Sequence, residues 1–324
     1  MRINGIDYVR ALGIIAIVAG HVWSSELVRA LLYSWHVPVF FFLTGYLWNP
    51  QRSFEGELRA RWRSLLKPYL WWLSLLSLPY LLLMGVTGKL TTENFVALIL
   101  GGGNLGRPFS AFWFVTTLAA AAILYRGVSK TPTATVTLAG LGLVFAWISP
   151  EALSAIPLGI GLVLPSLSFI GFGHLAASYR VDQMCGLGAW LGALVLALFA
   201  FVTRLIEPLD IKGGDFGTPL LSVFASATIC ISLVRICSAI GERSGPKSQR
   251  AITTFAVEGL AVVLGHAVVL WLLAPLGVAQ TVQFILSVAL PVAGVILLRR
   301  VPWAWCITTG AKSTLNPRAN LQPA

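Results

Sequence analysis

A chain of 324 residues that is 57% hydrophobic and only 11% charged cannot build the surface of a water-soluble domain, in which about one residue in four is charged. Its formal net charge of +11 would suggest nucleic acid in a soluble protein, but the basic residues fall in alternate connections between apolar runs and read as a topology signal. Cys185, Cys230, Cys237 and Cys306 lie within or beside apolar runs and form no CxxC pair, so neither a disulfide framework nor a metal site is expected.

Crossing about 30 Å of hydrocarbon takes roughly 20 apolar residues as a helix, and such runs recur from the first residues to Leu298. In chain order they are Ile6 to Trp23, Leu31 to Trp48, Pro68 to Val86, Ala111 to Arg126, Ala134 to Ser149, Ile156 to Tyr179, Gly186 to Ile206, Pro219 to Ile240, Ile252 to Leu273 and Ala279 to Leu298. The runs are too long and continuous for barrel strands, and a backbone facing lipid must satisfy its own hydrogen bonds. The expected fold is therefore all-α: a polytopic membrane helix bundle of about ten transmembrane helices. Asp7 and Arg10 open the first run and no small-residue cleavage site follows it, so that segment is expected to stay in the mature protein.

Arg2, Arg52, Arg59, Arg61, Arg63, Lys67, Arg126, Lys130, Arg180, Arg243, Lys247, Arg250, Arg299, Arg300, Lys312 and Arg318 all fall in alternate connections, which predicts cytoplasmic N and C termini. Between the second and third runs, Ser53 to Leu66 alternates Glu55, Glu57, Arg59, Arg61 and Arg63 with Phe54, Leu58, Trp62, Leu65 and Leu66. It reads as an amphipathic helix on the inner surface. Its basic face serves either to anchor lipid or to hold an anionic cofactor such as a nucleotide phosphate, and both roles stay open. Residues 299–324 are expected to form a flexible, basic cytoplasmic tail.

Ionisable groups inside a bilayer are costly, which singles out Asp7, Arg10, His21, His36, His174, Glu258 and His266. Arg10 and His21 are eleven residues apart, about 20° of rotation and about 16 Å of rise along a helix, so they share one face. Asp7, three residues before Arg10, can pair with it. The spacing suits a long anionic donor with phosphates near Arg10 and its reactive end near His21, as a pantetheine arm would reach. It equally fits an interfacial ion pair with a separate hydrogen-bonded histidine. In the second run, His36, Pro38, Thr44, Gly45 and Tyr46 form a broken, aromatic, small-residue stretch that lines a cavity or simply packs. Glu258 and His266 sit two turns apart and about 80° around one helix, with a polar site and a helix-to-helix hydrogen bond both open. His174, beside Gly171 and Gly173, favours packing.

These residues resemble a known family, membrane acyltransferase family 3, whose members move acyl groups, usually acetyl, onto sugars of envelope and exported glycans. Asp7 and Arg10 followed by His21 resemble its first-helix signature. Phe41-Phe42-Leu43-Thr44-Gly45-Tyr46 is similar to its FFxxSGY stretch, with Thr44 in place of serine. Arg63-Ser64-Leu65-Leu66-Lys67-Pro68-Tyr69, Trp113-Phe114 and Gly265-His266 resemble further segments, and the likeness is loose between about Lys130 and Ala251.

The resemblance implies a transmembrane acyltransferase domain over residues 1–298 in an inner or plasma membrane. It further implies acetyl-CoA or another acyl-CoA as donor on the cytoplasmic side, and a glycan or glycolipid acceptor on the outer face. On this reading neutral His21 is the general base on the acceptor hydroxyl, or an acyl-carrying nucleophile. Arg10 holds the donor with Asp7 orienting it, and Arg59, Arg61, Arg63 and Lys67 are candidates for its phosphates. His36, Thr44, Tyr46, Trp113, Glu258 and His266 are candidates for substrate contact, with Tyr46, Thr44 or His266 donating to the oxyanion. No metal and no nucleic acid are expected; the partners are membrane lipid and the acceptor. The rival is a secondary transporter or flippase that uses the same buried groups as a proton or substrate path.

Overall fold

The computed structural model describes residues 4–311. Arg2, Lys312 and Arg318, counted above among the basic flanks, lie outside them. The described chain is helical, and its one isolated β-bridge joins Asp210 to Asp215.

The helices are α1 (Asn4–Val22), α2 (Glu26–Val28), α3 (Pro38–Tyr46), α4 (Phe54–Arg61), α5 (Lys67–Val86), α6 (Thr92–Leu100), α7 (Phe112–Val128), α8 (Pro132–Ile148), α9 (Pro150–Ala155), α10 (Val163–Ser178), α11 (Leu187–Val202), α12 (Leu221–Arg243), α13 (Pro246–Leu273), α14 (Gln280–Leu298) and α15 (Pro302–Thr309). Each of the ten apolar runs forms a helix. Among the described residues, seven helical segments are long and apolar enough to cross a membrane: 5–22, 26–46, 54–86, 157–178, 221–243, 246–276 and 280–298. The other three, α7, α8 and α11, are apolar but shorter, at 16 or 17 residues.

Helix α1 is the hub. It packs on α12, α13, α14 and α3, and these contacts are close because small residues face them. A Cβ on Gly5 would meet Ser238 of α12 at 2.4 Å, and one on Gly259 of α13 would meet the Ile14 side chain at 2.0 Å. Helices α3 and α10 approach backbone to backbone. A Cβ on Gly45 would lie 1.8 Å from the Ile170 carbonyl oxygen, and one on Gly173 would lie 1.9 Å from that of Phe42. The glycine in the Phe41-to-Tyr46 stretch is thus a packing device, the small-residue solution to helix association in lipid.

The amphipathic stretch after α3 is a helix, but not an isolated one. Ser53 caps α4, accepting from the Gly56 N–H at 3.0 Å. Trp62–Leu66 then continues into α5 as a π-helical turn, in which the Lys67 N–H bonds the Trp62 carbonyl. Pro68, which has no N–H to donate, follows at once, and a widened turn absorbs that break in the ladder.

Residues 299–311 depart from the expected tail. Pro302 starts α15 and Gly310, at φ 69°, ends it; Ala304, Trp305, Thr308 and Thr309 are buried against the bundle. A basic, proline-containing segment read as flexible because Arg299 and Arg300 mask the apolar face that follows. The Trp72 indole N–H bonds the Thr308 carbonyl at 3.1 Å and holds the helix down.

Candidate active site

One stripe of α1 lines two cavities. Arg10 and Ile14 face a cavity of about 530 Å³, and Ile17 and His21 face a second of about 150 Å³. The other walls follow the same axis. Thr44 of α3 and Leu47 just after it, Leu118 of α7 and Ala256 and Leu260 of α13 line the Arg10 cavity. His36, Val37, Ala111 and Trp113 line the His21 cavity. Phe114 and Val263 line both, so the two spaces meet at this pair. Phe114 is held edge-on by Phe40 and Phe41, with ring centroids 5.5 and 5.9 Å away.

The Arg10 cavity is strongly basic. Arg52 and Arg61 also line it. Both bond the fully buried carboxylate of Glu57, at 2.9 and 2.7 Å, and Arg126 reaches the same carboxylate at 3.4 Å. Arg126 is further fixed by the Asn49 carbonyl at 2.8 Å and by the Trp48 ring 3.8 Å beneath its guanidinium. One carboxylate against three guanidiniums leaves net positive charge beside an open space, the donor set for an anion such as a phosphate. Arg10 stands opposite on α1, 3.4 Å from Asp7, whose other oxygen accepts from the Thr253 hydroxyl at 2.8 Å. Asp7 is buried and links α1 to α13; it orients Arg10 and lines neither cavity.

At the His21 cavity the walls are polar on one side and aromatic on the other. His36 donates from Nδ1 to the Leu32 carbonyl at 2.7 Å and lies edge-on to Tyr33. A loop between α11 and α12 contributes Asp210, Ile211 and Lys212. Asp210 pairs with Arg29 at 3.0 Å, Arg29 lies over the Tyr33 ring, and the Lys212 ammonium donates to the Leu105 carbonyl at 2.7 Å. Burial pushes the Lys212 ammonium below its ordinary range, and the carboxylate of Asp210 partly opposes this. Arg107 bonds the His21 carbonyl at 2.7 Å, satisfying an orphan carbonyl at the end of α1. Behind His21, the ring of His266 lies 4.9 Å away, centroid to centroid.

Of the residues singled out in the sequence, Arg10, Arg61 and Thr44 meet in one cavity, and His21, His36 and Trp113 in the other. Arg59, Arg63 and Lys67 are exposed and line neither; Arg59 is taken up by Glu55. The sequence reading treated that face as uniform, whereas the helix turns only Arg61 inward. Tyr46 stacks on Phe42 and interacts with Asp182 instead of facing a cavity. Thr44 gives its hydroxyl proton to the Phe40 carbonyl at 3.0 Å. Glu258 also lies away from both cavities: it accepts from Arg299 at 2.6 Å and from the Trp305 indole at 3.1 Å, fastening α15. His174 bonds the Tyr125 hydroxyl at 2.6 Å.

Sequence reasoning missed Arg52, Glu57 and Arg126, which sit in connections or at helix ends and look like solvated charges. It also missed Lys212 and Asp210, carried by a loop that mixes Arg204 and Lys212 with Glu207, Asp210 and Asp215 and so gives no sign of a site. Among the described residues no group of three or more His, Cys, Asp or Glu side chains could hold a metal ion.

No curated protein and no solved structure matches the chain. A family model, described as an acyltransferase domain, matches residues 3–300. That span includes every helix that lines the two cavities except α15, which adds Thr309 to the Arg10 cavity, and with the long apolar helices it makes this a multi-pass membrane protein. The chain belongs to acyltransferase family 3.

Proposed function

We propose that this protein transfers an acetyl group from acetyl-CoA, held in the Arg10 cavity, to a hydroxyl of an envelope or exported glycan or glycolipid that enters the His21 cavity. The observation that carries the reading is the single stripe of α1 that runs from Arg10 in the basic cavity to His21 in the small one. On this reading all ten apolar helices cross an inner or plasma membrane, and both chain ends are cytoplasmic. The basic connections support that orientation.

Arg10, Arg52 and Arg61 hold the donor's phosphates, and its arm runs along Ile14 toward the Phe114–Val263 junction. The acyl carbonyl reaches the junction, and the acceptor hydroxyl meets it from the other side. His21 takes the hydroxyl proton as the oxygen attacks the thioester carbon, and the C–S bond breaks as the tetrahedral intermediate collapses. His21 then returns the proton to the departing sulfur. Lys212, which keeps two ammonium protons beyond the one given to Leu105, supplies positive charge to the developing oxyanion. His36 donates its Nδ1 proton to Leu32, which leaves Nε2 as an acceptor for the incoming hydroxyl.

The cavity that would receive the acyl group is small and bounded by Trp113, Phe114 and Val263, which favours a short chain. The family membership counts against a transporter or flippase. Proteoliposomes loaded with an acceptor glycan inside, and given acyl-labelled acetyl-CoA outside, test the reading. Labelled glycan appears inside if it holds. Labelled acetyl-CoA accumulating inside intact, with unlabelled glycan, contradicts it.

A further inference from the structure

We infer that His266 is a positioning residue, which fixes the tautomer and the plane of the His21 ring by accepting a hydrogen bond from it at Nε2. The inference rests on the reading of His21 as the base, but its geometry stands independently.

His266 lies one turn beyond Val263 on α13, is 0% exposed, and is part of neither cavity wall. Its Nδ1 lies 3.1 Å from the Val262 carbonyl, one turn back in the same helix. A carbonyl oxygen only accepts, so Nδ1 carries a proton. No acidic side chain bonds the ring, and a neutral imidazole with its proton on Nδ1 has a bare lone pair on Nε2. That atom is buried and has no hydrogen-bond partner. A buried acceptor left unpaired is destabilising, so a donor at this atom is favoured. The His21 ring packs against that of His266, tilted 52° to it with centroids 4.9 Å apart.

A turn of the His21 ring about its Cβ–Cγ bond aims one N–H at the lone pair. The other nitrogen of His21 is then bare and faces the cavity, in the state a base needs. The arrangement follows the logic of a base oriented by a third group, with an imidazole as the orienter. It also means that neutral His266 has no free proton to give to an oxyanion, contrary to one role the sequence suggested.

The chain contains four histidines, so ¹⁵N-histidine labelling in nanodiscs yields a readable NMR spectrum. The wild type is expected to show His266 with its proton on Nδ1 and His21 in a single tautomer, its N–H coupled to His266 Nε2. In His266→Phe, the His21 signals average between tautomers and kcat falls roughly tenfold or more, while KM for acetyl-CoA changes less than twofold. His266→Gln, whose carbonyl oxygen accepts in place of Nε2, restores a single His21 tautomer. A proton on Nε2 of wild-type His266, or an unchanged His21 tautomer in His266→Phe, overturns the inference. If His266→Phe does not fold, the wild-type tautomer and coupling decide alone. Full activity in His21→Ala would remove the base reading while leaving the spectral result to be judged separately.

Discussion

Phe114 of α7 and Val263 of α13 are shared walls: each lines both the basic cavity and the histidine cavity. Whatever passes from Arg10 toward His21 passes between them. Phe114→Leu and Val263→Ala are therefore expected to widen acyl-chain use, raising turnover with butyryl- or hexanoyl-CoA at least tenfold relative to acetyl-CoA. Truncating Phe114 to Ala should cost about 3–5 kcal/mol of stability, so the milder variants carry the test. An unchanged chain-length profile in both would place the acyl group elsewhere.

The basic side chains divide into those that face the cavity and those that do not. Arg61→Ala and Arg52→Ala are expected to raise the Kd for acetyl-CoA by about tenfold each, in line with charge-assisted hydrogen bonds worth about 1.5–3 kcal/mol. Arg59→Ala and Arg63→Ala, on the exposed side, should change it less than twofold. Calorimetric titration of the four variants reads the difference directly.

Glu57 carries three guanidiniums on one fully buried carboxylate. Glu57→Gln keeps the shape but removes the charge that holds them together. Breaking a buried pair typically costs about 3–5 kcal/mol, so thermal unfolding should drop by several degrees before any loss of donor binding is considered. An unchanged Tm would mean that the cluster is hydrated and weakly coupled.

Lys212 predicts the alkaline limb of activity. A lysine is charged below its pKa, and burial holds this one beneath its usual 10.5. As pH rises through that lowered value the positive charge disappears, and kcat should fall earlier than an ordinary lysine would allow. Lys212→Arg stays charged and should move that limb upward, whereas Lys212→Met should lower kcat across the whole range. A pH profile that is the same in Lys212→Arg as in the wild type would remove Lys212 from the oxyanion role.

The positions of the helices were legible in the sequence because a run of about 20 apolar residues has one stable solution in lipid. The Arg10-to-His21 stripe was legible for a similar reason: both residues lie on one helix, and a fixed rise and rotation relate them. What belonged to different helices was not. Nothing in the sequence says that Glu57 meets Arg126, or that a loop after α11 returns to the end of α1. Glu258 looked functional because it is an acid in an apolar run, yet its partners Arg299, just past the end of α14, and Trp305 of α15 satisfy it. For the stretch around Gly45 the sequence left lining and packing both open, and the structure decides for packing at Gly45 by supplying its partner, the carbonyl of Ile170.

The most direct test is calorimetric binding of acetyl-CoA to the purified protein, with thermal unfolding to confirm that each variant folds, for the wild type, Arg10→Ala and His21→Ala. The two-cavity arrangement predicts saturable binding that Arg10→Ala weakens about tenfold and His21→Ala leaves within twofold, while His21→Ala loses about 10²-fold or more in transfer. Well-folded wild type that does not bind acetyl-CoA, or a His21→Ala variant that transfers at the wild-type rate, would contradict it.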